Sequence, residues 1–461
     1  MRRSYLVESI PDDLVGIGLS PWAESTGSVL VRLTAAATQA IRITVMYWSL
    51  TPDPTSADES GFTVEKLQKL GATQGEALLA ALREAAGRGV KISIVQGSGS
   101  NFGPNPDLDK LKADFPSVVD VAKLDVSAWF GGGIMHQKTW IFDDRALYVG
   151  SANMDWRSLA QVKEMGVVFE DVAEFAGDAK RQFEVLWRLA SLSPKTKIAW
   201  DPEVRISRPV PPWSELIPPD DRTESPFADA PFATKFNREH PLRLDLDGLP
   251  GEFYMSAGPS EARGAGRTDD KHALASTIDD ARRSVCVSVM DFAPTGLYAR
   301  PPDSRIDEPA SLLSAPVWWP TLWSALLRAA STRRCWVRVL VSKWAHSSGV
   351  IEPYLQALKL AADAACADPY ITGGSLEVKL FTMPGWDSTR GPSRRYPDHT
   401  RVNHAKYIVT DRRANIGTSN MTWDYFAQTA GTSVNTNHPG LVGQLQAAFD
   451  RDWTSRYAVR V

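Results

Sequence analysis

The sequence predicts an α/β protein built twice over: two α/β/α sandwich domains in one chain, related by a pseudo-twofold and sharing one active site. Three observations predict it. At 461 residues the chain is too long for one ordinary core, so two domains are expected. Each half repeats the same succession of amphipathic helices and Val/Ile-rich strands. Each half also carries one copy of the same polar motif. His136, Lys138 and Asp143 precede Gly150, Ser151 and Asn153 in HQKTWIFDDRALYVGSAN. His404, Lys406 and Asp411 precede Gly417, Ser419 and Asn420 in NHAKYIVTDRRANIGTSN.

The elements follow in order. Residues 33–52 correspond to 274–295, a short helix and then an apolar strand that ends at proline. Residues 75–95 correspond to 322–341, each an amphipathic helix feeding a buried strand. A further helix and strand follow (VVDVAKLD and LEVKLF), then a loop and the motif hairpin, then a closing helix at 177–190 and again at 440–453. Alternating helices and buried strands make a sandwich, with helices on both faces of a sheet. Residues 194–250 hold 11 of the 31 prolines, which no long helix tolerates. The expected division is 1–193, a connector at 194–250, and 251–461.

Composition narrows the function. A net charge of −3 excludes a global basic field, so any nucleic-acid contact is local. Cys286, Cys335 and Cys366 form no C-x-x-C, and no His/Cys cluster has zinc spacing, so neither a disulfide framework nor a structural metal is expected. No leader-like or 18-residue apolar stretch is visible, and a cytoplasmic location is the expectation.

The motif chemistry points to a phosphodiester. One neutral imidazole attacks phosphorus to give a phosphohistidine; a second, protonated imidazole supplies the leaving oxygen with a proton and then activates water. Lys138 and Lys406 are fixed cations for the non-bridging oxygens. Asn153, Asn420, Ser151, Thr418 and Ser419 are candidate donors to the same phosphate. The scheme calls for no metal or cofactor. Asp143 and Asp411 follow their histidines by seven residues, near the hairpin turn, where a structural bond competes with a catalytic part. Glu164 lies 11 residues beyond Asn153 and could hold one catalytic imidazole, whereas the matching offset from Asn420 lands on Gly431. The two histidines are therefore expected to have unequal supports.

The duplicated H-x-K-x4-D pattern with its Gly-Ser/Thr-Asn turns resembles the phospholipase D superfamily. Its longer blocks, MYWSLTP, GSANMDWRSLAQVKEMGVV, SKWAHS and RVNHAKYIVTDRRANIGTSNMTWDYFAQTAGTS, are similar to the animal lysosomal 5′-exonuclease branch. The resemblance runs from about Leu6 to Tyr457. It implies a monomeric pseudo-twofold pair of domains and single-stranded DNA or RNA as substrate, degraded from the 5′ end to 3′-phosphorylated mononucleotides. By analogy with the usual superfamily order, His136 is the nucleophile and His404 the general acid. Two alternatives stand beside this: a phospholipase or transphosphatidylase using the same histidines on phospholipid, and a non-catalytic phosphate-ligand-binding protein.

The rim carries weaker signals. Trp48, Trp156, Trp344, Trp386 and Trp423 lie near the motifs and could stack on bases, although most tryptophans should be core. The Arg390–Arg401 loop could guide a phosphate backbone, and the glycine run at Trp129–Gly133 reads as a flap. His346 and His399 read as structural.

Overall fold

A computed structural model of the chain describes residues 2–98, 105–130, 132–192, 197–201, 206–210, 227–298, 317–367 and 373–461. The N-terminal half contributes β1 (Arg3–Ser9), α1 (Thr26–Ala36), β2 (Ala40–Val45), α2 (Thr73–Gly87), β3 (Lys91–Gly97), α3 (Pro106–Asp114), β4 (Val119–Leu124), β5 (Thr139–Phe142), β6 (Ala146–Gly150), β7 (Glu164–Glu170) and α4 (Ala173–Ser191). The C-terminal half repeats them as β8 (Leu249–Gly258), α5 (Asp270–Asp279), β9 (Ser284–Val289), α6 (Thr321–Ser331), β10 (Trp336–Ser342), α7 (Ile351–Cys366), β11 (Ser375–Phe381), β12 (Tyr407–Thr410), β13 (Ala414–Gly417), β14 (Gly431–Thr436) and α8 (Pro439–Thr454).

The two sheets have one topology. The first runs β1-β7-β6-β5-β2-β3-β4 and the second β8-β14-β13-β12-β9-β10-β11, with a short extra strand at each sheet's first edge and Ala458–Arg460 beyond β11. In each, the helix-linked strands pair in parallel and the motif hairpin pairs antiparallel. Helices α1 and α2 cover the outer face of the first sheet, and α5, α6 and α7 that of the second. The inner faces look toward each other, with α4 and α8 between them. Helix α4 touches its own sheet and β8; α8 touches β12, β13 and β1. One continuous apolar core therefore joins the halves, with Phe169 and Phe175 packed on Phe253 at ring separations of 5.6 and 6.1 Å. The sandwich of each half is closed on its inner side by the other half.

Buried ion pairs cross this junction. Lys163 meets Asp452 at 2.5 Å, Arg267 meets Asp178 at 2.9 Å and Arg451 meets Glu8 at 2.6 Å. Removing one partner would strand a buried charge at a cost of about 3–5 kcal/mol.

Of the expected connector, residues 194–196, 202–205 and 211–226 lie outside the described residues. Its last part does not behave as connector: Leu242–Leu246 alternates buried and exposed residues and pairs with β8, so the second sheet starts before position 250.

Candidate active site

Each histidine motif enters the junction between the halves on an extended lead-in just before its strand, β5 or β12, rather than within it. There it is clamped by the other half. His136 N donates to Ala430 O at 2.9 Å and Ala430 N to Ile134 O at 3.0 Å; His404 N donates to Lys163 O at 2.8 Å and Lys163 N to Val402 O at 3.0 Å. Ala430 and Lys163 stand immediately before β14 and β7, so each half uses the start of the same strand to hold its partner's histidine. The result is one shared cavity of about 390 Å³ lined by both His136 and His404. Their ring centroids are 6.4 Å apart with planes at 70°.

The supports differ. Glu164 reaches across the pseudo-twofold: His404 Nδ1 donates to its Oε1 and Oε2 at 2.9 and 3.0 Å. Ser151 Oγ donates to Glu164 Oε2 at 2.5 Å and accepts Met165 N at 3.0 Å, so it orients the carboxylate. At the equivalent of Glu164 stands Gly431, where even a Cβ would lie 2.0 Å from Ser419 Oγ. His136 Nδ1 accordingly meets no side-chain acceptor; the Thr418 backbone raises the ring's pKa without outweighing its burial. Tyr425 packs edge-on against it at 5.0 Å.

Electrostatics follow from this arrangement. Burial, then Lys138, Lys406 and His404, hold the His136 pKa well below the usual imidazole range, so the ring is neutral. Burial lowers His404 too; Glu164 opposes it without outweighing it, so the ring stays below the usual imidazole value. Burial pushes the Glu164 carboxyl up, yet the His404 ring, Lys406 and Ser151 outweigh it and keep it low. Lys138 and Lys406 are buried and lowered by desolvation; Glu164 opposes this at both, joined by Asp155 at Lys138 and Asp291 at Lys406. Each ammonium donates to the carbonyl of the histidine two residues earlier, Lys138 to His136 at 2.9 Å and Lys406 to His404 at 2.5 Å.

The asparagines diverge as well. Asn153 lines the cavity and donates to Tyr47 Oη at 3.3 Å. Asn420 is fully buried and donates to Asp291 Oδ2 at 2.9 Å, which also accepts Tyr298 Oη at 2.8 Å. Burial raises the Asp291 pKa, against the Tyr298 bond and Lys406. Tyr47 and Asp291 occupy matching places just past β2 and β9, the carboxyl ends of strands where ligands gather. That position was a legible signal for both, and the sequence reading missed it, along with Tyr298 and Tyr425.

Several expectations are corrected. Ser151, Thr418 and Ser419 do not line the cavity: Thr418 Oγ1 accepts Thr432 N at 3.0 Å, and Ser419 Oγ packs against Gly431. Asp143 and Asp411 need no correction, since each makes the structural bond that competed with a catalytic part. Asp143 accepts the backbone N–H of Thr38, Gln39 and Ala40 at 2.8–2.9 Å, and Asp411 those of Arg282, Arg283 and Ser284 at 3.0–3.2 Å. Both sit at the far end of the motif strand and pin the start of β2 or β9. Of the glycine run expected as a flap, Gly131 lies outside the described residues, and Gly132 and Gly133 pack against Gln428. Gly133 has φ +77°, and a Cβ there would lie 2.1 Å from Gln428 O, so glycine permits a close backbone approach between the halves. The Arg390–Arg401 loop is a clasp: Arg394 donates to Ala57 and Ser60 of the other half, and buried Arg401 pairs with Asp13 at 2.8 Å. Trp48 and Trp156 are core, and Trp344 lines the cavity. His346 and His399, expected to be structural, line it too.

Residues 30–187 match the family model "Cardiolipin synthase, PLD-like domain", and residues 223–386 match "PLD3/4, PLD-like domain". The chain is 34% identical to the 5′-3′ exonuclease PLD3 of Rattus norvegicus over 99% of its own length and 80% of that protein's. It is 32% identical to the human 5′-3′ exonuclease PLD4, covering 98% of this chain and 78% of that one. A probable phospholipase D of Caenorhabditis elegans is also 32% identical, over 99% and 70% of the respective lengths. Among solved structures, the phosphatidylserine synthase of Haemophilus influenzae shares the fold at a TM-score of 0.55 and 11% identity, over 94% of this chain and 85% of that one. Among the described residues, no helix is long and apolar enough to cross a membrane.

Proposed function

This chain belongs to the phospholipase D superfamily and is a phosphodiesterase of it, and from that premise we propose that it is a metal-independent 5′-3′ exonuclease on single-stranded DNA or RNA. The observation that carries the reading is the pair of facing histidines with opposite supports. His136 is neutral and free of any anion, which suits a nucleophile. His404 is held by Glu164, which favours its protonated form and fixes Nδ1 as the donor, leaving Nε2 for the substrate.

The steps balance as follows. His136 attacks phosphorus while the bond to the 5′ oxygen of the next nucleotide breaks, and His404 gives that oxygen its proton. The shortened chain leaves with a 5′ hydroxyl, and the terminal nucleoside 3′-phosphoryl group stays on His136. Neutral His404 then takes a proton from water as it attacks phosphorus, and a nucleoside 3′-phosphate is released. Lys138, Lys406 and Asn153 bind the non-bridging oxygens, and an arriving phosphate anion restores the charge that burial disfavours on the lysines. Glu164 and Ser151 act through His404; Asp291 and Tyr298 position Asn420.

The nucleic-acid substrate rests on the PLD3 and PLD4 relatives. A second reading, a phospholipase D or transphosphatidylase, is favoured by the apolar strip of Val162, Met290 and Val402 along the cavity, which suits the first methylenes of a lipid acyl chain. Incubating the protein in EDTA with labelled single-stranded oligonucleotides, beside a phosphatidylcholine assay, tests both. Release of 3′-phosphorylated mononucleotides from the 5′ end is expected. Headgroup release with intact oligonucleotide would replace the first reading with the second, and magnesium- or zinc-dependent turnover would overturn metal independence.

A further inference from the structure

Besides the two motif histidines, the cavity is lined by a group of rings that the chemistry above leaves unused. His346 and His399 stack with centroids 4.4 Å apart and planes within 11°. Trp344 packs against both, at 4.8 and 6.1 Å. The pair is built. His346 Nε2 donates to Asp398 Oδ1 at 2.7 Å, and His399 Nδ1 donates to Asp58 Oδ1 at 3.2 Å. Burial raises the Asp58 carboxyl, but the His399 bond and Arg157 outweigh it and hold it ionised; Asp398 is likewise kept low by His346 against its burial. His399 sits at φ +57°, a conformation that costs a non-glycine residue about 1 kcal/mol, with its N–H bonded to Asp398 Oδ1 at 2.8 Å. Asp58 comes from the N-terminal half and Asp398 from the C-terminal half, so the wall is assembled only when the halves meet.

His346, Asp398 and His399 have the composition of a metal site, but not its geometry. Parallel rings 4.4 Å apart cannot aim in-plane lone pairs at one ion about 2.1 Å from each. What the rings do offer is flat surface and two ring nitrogens, His346 Nδ1 and His399 Nε2, that the carboxylates leave unengaged. Beside them lies the apolar strip of Val162, Met290 and Val402. A flat, half-apolar wall with hydrogen-bonding edges fits a nucleobase.

We propose that Trp344, His346 and His399 form the subsite that holds the base of the 5′-terminal nucleotide, which stays in the cavity through both chemical steps because its 3′-phosphoryl group is bound to His136. The cavity, about 390 Å³, lies at the small end of ligand pockets and suits one nucleotide. This rests on the exonuclease reading and adds what recognises the terminal residue. Contact with ring faces and ring edges tolerates any base, which suits a nuclease of low sequence preference.

A cycle that removes the base from one side and the rings from the other tests it. Wild type, Trp344→Ala and the His346→Ala/His399→Ala double variant are each given a single-stranded oligonucleotide with an ordinary 5′-terminal nucleotide. Each is also given the same oligonucleotide with an abasic 5′-terminal residue. Wild type should lose about tenfold in kcat/KM on the abasic substrate, of the order of one base–ring stack. Each variant should lose a similar factor on the ordinary substrate and little more on the abasic one. Losses that multiply independently would overturn the subsite, since a merely structural change slows both substrates equally. Should the alanine variants fail to fold, Trp344→Leu and His346→Gln read the same coupling. A wild type that cleaves neither oligonucleotide but hydrolyses phosphatidylcholine would overturn the exonuclease reading itself.

Discussion

The two halves share strand order, hairpin and motif, yet they surround their histidines differently. In the first half β7 begins with Glu164, which crosses to His404; in the second β14 begins with Gly431, where no side chain fits, and His136 goes without an anion. After β2 stands Tyr47, after β9 the buried carboxyl of Asp291. The repeat places two imidazoles across one cavity, and the differences at a few buried positions give them unequal supports: both are depressed by burial, but only His404 has a carboxylate to oppose it. Symmetry supplies the geometry, and its breaking supplies the unequal supports on which the proposed division between nucleophile and acid rests.

The largest expected effect separates the histidines directly. His136→Asn and His404→Asn should each reduce turnover of oligonucleotides by about 10⁴-fold or more, consistent with loss of nucleophilic or general-acid catalysis. A p-nitrophenyl phosphodiester needs no proton on its leaving group, so His404→Asn should recover formation of the phosphoenzyme on it, while His136→Asn should not. Recovery in His136→Asn instead would exchange the two roles.

Next comes the support that only one histidine has. Glu164→Gln should lower kcat by about 10²-fold with an unchanged melting temperature. Burial and the lysines depress His404, and Glu164 is what opposes them. Without it the acid loses its proton at lower pH, so the alkaline limb of the rate profile should move toward acid. A limb that stays in place would mean that Glu164 does not govern His404.

The motif aspartates are the symmetric control. Asp143→Ala and Asp411→Ala each leave three backbone amides without their acceptor, and each should destabilise the fold by about 1–3 kcal/mol in denaturant titrations while the folded fraction keeps its rate. A selective loss of activity in one of them would give that aspartate a part in catalysis.

The smallest effect concerns stability against pH. His136 is depressed well below its value in the unfolded chain, about 6.5. Its contribution is therefore present above that pH and is lost as pH falls, because the unfolded chain takes up a proton that the folded ring refuses. Stability should drop by up to about 1.4 kcal/mol per pH unit from this group below pH ~6.5, and His136→Asn should flatten that part of the curve. An unchanged slope would remove the buried, neutral ring from the account.

The sequence by itself determined the architecture and the motif residues. Helical and strand periodicities are local, and the repeat tells which segments are equivalent, so two sandwiches and two H-x-K motifs could be read without coordinates. It also showed that Glu164 has no acidic counterpart, because equal offsets from Asn153 and Asn420 can be counted along the chain. Which histidine Glu164 serves was not countable. That depends on the inner faces meeting through α4 and α8 and on each motif being clamped by the other half, contacts between residues some 240 positions apart. The same reason hid the glycine run at Gly133, the clasp of Arg394 and Arg401, and the paired rings of His346 and His399. Each takes its partner from the other domain, or from a loop folded back onto the junction. Propensity acts over a few residues, whereas a site at a seam is made by packing, and only the tertiary structure decides what packing brings together.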